Sequence, residues 1–132
     1  MLLPCEVGVK TILPAVKAIM ARTIVEKHGL KEKETASLLG LSQSAVSRYM
    51  TRDRGNNLIE IENTVEVQLL IDQMVTYVVK EPNKKKEVME LFCQTCKAIR
   101  EKGLMCSLCR KEMSKEWAEA CVFCQCPRFN IY

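Results

Sequence analysis

A chain of 132 residues with 48% apolar residues can bury a core, which excludes a disordered polymer, while aromatics at 5% leave Leu, Ile, Val, Met and Ala to build that core and favour helices over a sandwich. The net charge of +4 is unevenly spread: Lys and Arg outnumber Asp and Glu nine to five over residues 1–57 and ten to six over 83–132, but are outnumbered five to one over 58–82. Only the two outer blocks suit a polyanionic partner.

Met1-Leu2-Leu3-Pro4-Cys5-Glu6 lacks the basic start and apolar stretch of a secretory signal, and no apolar run approaches the roughly 18 residues of a membrane span, so a cytoplasmic protein with no membrane contact is expected. In that reducing compartment eight cysteines point to metal ligation or redox chemistry ahead of structural disulfides.

Pro14 to Lys27 reads as the first helix. Pro14 suits a first helical position, Val16, Ile19, Met20 and Ile24 recur at helical spacing, and Gly29 stops the run. His28, the lone histidine, stands at that helix end, where it suits capping better than ligation. A second helix spans about Lys31 to Leu39. Gly40 breaks it, and Ser42 is a good N-cap for a third helix that runs to about Arg52. Asp53 to Asn57 reads as a loop, and Leu58 to Lys80 as one helix with Val67, Leu70, Ile71, Met74, Val75 and Val78 on one face. Pro82-Asn83 marks a boundary before a helix over Lys84 to Lys102 that Gly103 ends, and a short helix follows from Ser114, its N-cap, to about Ala120. Lys84-Lys85-Lys86 reads as a solvated face.

Glu34 to Tyr49 carries the sharpest pattern of the N-terminal half. Ala36 is small where two helices would cross, Gly40 permits the positive φ of a tight turn, and Leu39, Leu41 and Val46 fill the wedge between them. This is the pattern of a helix-turn-helix, whose second helix enters a major groove of double-stranded DNA. The candidate DNA-contacting residues are Ser42, Gln43, Ser44, Ser47, Arg48 and Arg52: Gln suits adenine, Arg suits guanine or phosphate, and Ser suits either. The opening Leu3-Pro4-Cys5-Glu6 and the run Ala36 to Tyr49 resemble the family of predicted archaeal transcription regulators that join a xenobiotic-response-element-type (Cro/repressor-like) helix-turn-helix to a C-terminal cysteine cluster. The resemblance spans nearly the whole chain and implies a transcription regulator.

Seven cysteines form that cluster: Cys93-x-x-Cys96, nine residues, Cys106-x-x-Cys109, eleven residues, then Cys121-x-x-Cys124-x-Cys126-Pro127. Two thiolates spaced as CxxC can grip one metal ion or neighbouring irons of one cluster. Cys93, Cys96, Cys106 and Cys109 could complete a four-thiolate zinc site, which leaves three cysteines unused. Cys121, Cys124 and Cys126 before Pro127 are similar to ferredoxin-like runs and favour an iron–sulfur cluster of the four-iron, four-sulfur type. A labile cluster also suits a sensor of redox state or of sulfur and iron supply.

The expectation is an all-α protein with a helix-turn-helix DNA-binding domain over 1–57, a helical dimerising connector over 58–92 and a cysteine-rich module over 93–132. It acts as a homodimeric regulator and not as an enzyme, since one histidine, no Gly-rich phosphate loop and no paired acids leave little for catalysis. The alternatives are a zinc-stapled DNA-binding protein without sensing, and an iron–sulfur or thiol protein that handles sulfur.

Overall fold

The structure is a computed structural model that describes residues 3–51, 56–104 and 106–120. Among them it is all α, with no strand: α1 (Pro4–His28), α2 (Glu32–Leu39), α3 (Gln43–Thr51), α4 (Asn56–Asn63), α5 (Val65–Lys80), α6 (Lys85–Glu101), α7 (Cys106–Glu112) and α8 (Lys115–Ala120). No helix among the described residues is long and apolar enough to cross a membrane.

The first helix starts ten residues before the expected Pro14. Pro4 occupies its first turn, and the Leu3 amide donates to Glu6 Oε2 at 2.6 Å, so an acid satisfies the positive end. Pro14 therefore lies inside α1. Proline there removes an amide donor and crowds the carbonyl four residues back, but Pro14 and Lys10 are both exposed, and water can take that carbonyl. Gly29, at φ 68°, ends the helix, with Lys27 and His28 in its last turn as the dipole favours.

The expected single helix over 58–80 is two. Asn56 and Asn57, expected in a loop, open α4, and Thr64 then adopts an extended conformation (φ −81°, ψ 113°) that caps α5. Thr64 Oγ1 donates to the Glu60 carbonyl at 2.8 Å, the local competition that makes threonine a poor helix interior. α5 and α6 form an antiparallel hairpin: the Pro82-Asn83 turn joins one end, and Lys102 Nζ meets Glu66 Oε2 at 3.1 Å at the other.

One apolar core joins α1, α4, α5, α6 and α7. Val7, Ile12, Val16, Met20 and Ile24 of α1 meet Ile61 of α4, Val67, Ile71, Met74 and Val75 of α5, Leu91 and Ile99 of α6, and Cys106 and Cys109 of α7. Residues of the N-terminal segment, the connector and the cysteine-bearing segment thus share it. The α5 stripe expected to await a partner is largely spent inside the chain, Met74 being 0% exposed. A second, smaller cluster of Ala21, Ala36 and Val46, flanked by Leu39, Leu41, Tyr49 and Met50, holds α2 and α3 against α1.

Candidate functional site

The α2–α3 pair is built from local chemistry. The Lys31 amide faces Glu34 Oε1 at 3.5 Å and Thr35 Oγ1 donates to the Lys31 carbonyl at 3.0 Å, which fixes the start of α2. Gly40 ends it at φ 65°, returning its amide to the Ala36 carbonyl, and Leu41 bonds the same oxygen at 2.9 Å. Ser42 Oγ then accepts the Ala45 amide at 3.1 Å, so Ser42 serves as the N-cap of α3. Ala36 and Val46 are buried and Leu39 and Leu41 half-buried between the helices, as their sizes require.

This packing leaves Ser42, Gln43, Ser44 and Arg48 exposed along one side of α3. Ser47 departs from the expected outward set: it is half-buried and donates through Oγ to Glu32 Oε2 of α2 at 2.8 Å. With its single proton committed, the Ser47 hydroxyl offers only lone pairs to anything else. Arg52 lies outside the described residues.

The cysteines are distributed differently. Cys93 and Cys96 stand one turn apart on α6, the first exposed and the second half-buried; Cys106 and Cys109 stand one turn apart on α7 and face the core. Burial pushes the Cys96 thiol above its ordinary range and the neighbouring Cys93 adds to this, while the Arg100 guanidinium pulls the other way. Arg100 Nε is buried and meets no acceptor among the described residues. The donor chemistry, soft sulfur in pairs, suits zinc or iron–sulfur. The geometry does not assemble it: among the described residues no three or more His, Cys, Asp or Glu side chains converge as metal ligands, so the four-thiolate set is not gathered. Cys121, Cys124 and Cys126 lie outside the described residues.

One charged group escaped sequence reasoning. Arg22, 3% exposed, forms an ion pair with Glu62 and so ties α1 to α4. Its only signal is a cation set among Met20, Ala21 and Ile24 on the face that the periodicity marks as core.

Neither a family model, a curated protein nor a solved structure matches the chain.

Proposed function

We propose that the chain is a sequence-specific DNA-binding transcription regulator, with α2 and α3 as its helix-turn-helix and α3 as the element that enters the major groove. The observation that carries this reading is the open side of α3, where Gln43, Ser44 and Arg48 stand exposed on a helix that Gly40 and a small apolar cluster hold at the surface. Gln and Arg are the two side chains best fitted to read adenine and guanine edges. After selection of a preferred duplex from a random pool, Gln43→Ala and Arg48→Ala should each weaken its binding by about 1–3 kcal/mol with helicity unchanged. Unaltered affinity in both variants removes α3 from the interface.

The regulator acts as a homodimer in this reading, because one small reading helix contacts too few bases for strong selectivity. Val65 and Leu69, 68% and 64% exposed and one turn apart on α5, offer apolar surface for the contact. Leu69→Glu should give a folded monomer by light scattering, and a wild-type protein already monomeric at micromolar concentration removes the dimer.

The cysteines supply the sensing half: an iron–sulfur cluster held by Cys121, Cys124 and Cys126, with an upstream pair or an external ligand completing it, whose loss or oxidation changes DNA affinity. Anaerobically purified protein should be brown and contain iron and sulfide, and Cys121→Ser, Cys124→Ser and Cys126→Ser should each strip them. Stoichiometric zinc, lost on substituting Cys93, Cys96, Cys106 or Cys109, replaces the sensor with a zinc staple.

A further inference from the structure

By sequence alone, three consecutive lysines at a helix start are a solvated face. The fold gives Lys84 and Lys85 a particular neighbour, and Lys86 follows them, exposed, in the first turn of α6. The turn between α5 and α6 faces α2 across a groove of about 450 Å³, lined by Ser37 and Leu38 from α2 and by Tyr77, Lys84, Lys85 and Val88 from the hairpin. Residues about a third of the chain apart thus share one surface beside the α2–α3 pair.

The charge on that surface is only partly compensated. Lys27, Lys97, Lys102 and Lys115 each lie within 4 Å of a carboxylate, at 3.3, 3.8, 3.1 and 3.9 Å. Lys84, Lys85 and Lys86 enter no ion pair among the described residues; Lys85 and Lys86 are exposed and Lys84 half-buried. Glu81 in the same groove and Glu87 in the first turn of α6 oppose them, yet with Lys80 the turn holds four cations against two acids. In a helix-turn-helix the first helix crosses the phosphate backbone while the second enters the groove. On the helix-turn-helix reading of α2 and α3, a cationic surface beside α2 is positioned to meet phosphates.

We propose that Lys84, Lys85 and Lys86 form a phosphate-binding flank of the DNA interface, gripping the backbone of the same duplex whose major groove receives α3. This rests on the DNA-binding reading of α2 and α3. The flank carries no base discrimination and adds affinity that weakens with salt, since each neutralised phosphate releases condensed counterions.

The test is a salt series of fluorescence anisotropy on the full chain with two probes, the selected duplex and a mixed-sequence duplex. The variant K84Q/K85Q/K86Q is compared with K97Q/K102Q/K115Q, which removes as much charge from lysines already paired and whose exposed ion pairs contribute little to stability. Circular dichroism checks that both keep wild-type helicity. If the flank exists, the first variant lowers the slope of log affinity against log salt by about 2–3 and weakens both probes by the same factor, while the second changes the slope by less than about 1. A slope unchanged in the first variant, or lowered equally by the second, overturns the flank and leaves the α3 reading to the Gln43 and Arg48 variants. Should wild type bind neither duplex, both readings fall together. A slope lowered by the lysine variant while Gln43→Ala and Arg48→Ala change nothing overturns the shared-duplex placement along with the α3 reading.

Discussion

The α2–α3 pair and the cysteine pairs of α6 and α7 are both marked by spacing in the sequence, and the fold treats them differently. The turn and caps of α2 and α3 lie within twenty residues, a left-handed glycine and a serine cap, while small side chains close a second cluster with Ala21 of α1. Their polar side is left over and faces outward. The cysteines share their surroundings with the main core instead, Cys106 and Cys109 facing inward and Cys93 outward. Short-range spacing specifies a turn and its caps, which close within a few residues, and says less about where residues meet when the rest of the chain decides their burial.

The two regions meet at a seam on α1. Arg22 adjoins Ala21 of the small cluster and pairs with Glu62 of α4, whose Ile61 belongs to the main core. Arg22→Ala removes a buried cation from the half-buried Glu62 and should lower stability by about 1–3 kcal/mol in urea unfolding. One transition is expected, because both clusters share α1; two separate transitions would show that the α2–α3 unit melts independently.

Gly40→Ala probes the turn between α2 and α3 alone. An added methyl would meet nothing within 4 Å, so the cost is the left-handed backbone alone, about 1–2 kcal/mol. A loss well above that, measured by thermal melting, would mean that the turn is held by more than its own conformation.

At the α6 cysteines the difference in burial is read as a rate. Cys93 should react with iodoacetamide faster than Cys96 in metal-free protein, because Cys93 is exposed while burial disfavours the Cys96 thiolate. Mass mapping at short times checks the order, and equal rates would place both thiols in one environment.

The helices α2, α3, α6 and α8 were legible from periodicity and end signals, since Gly40, Ser42, Pro82, Gly103 and Ser114 each act within one turn of where they stand. Pro14 misled because a proline is read as a start, whereas an exposed one is tolerated inside a long helix when Pro4 and Glu6 already furnish a better beginning. The break at Thr64 was hidden by apolar residues that keep helical spacing on both sides of it. α7 was not foreseen: its seven residues are too short for periodicity to register, and burial of Cys106 and Cys109 defines it instead. For the candidate site, the exposed side of α3 followed from sequence, but the Ser47–Glu32 bond did not, because it depends on how two helices rotate about their shared contact.

The 25-residue helix α1 touches α2, α3, α5 and α7. A helix held on so many sides has no local opening available to its middle. Backbone amides from Val16 to Ile24 should exchange hydrogen for deuterium only when the whole chain opens, while those of α8 and the first turn of α1 exchange through small fluctuations. The slowest exchange in the molecule should therefore fall on α1, remote in sequence from every cysteine of the C-terminal cluster, and any modification that loosens α7 against it should be visible there as a rise in exchange along the same helix that carries α2 and α3.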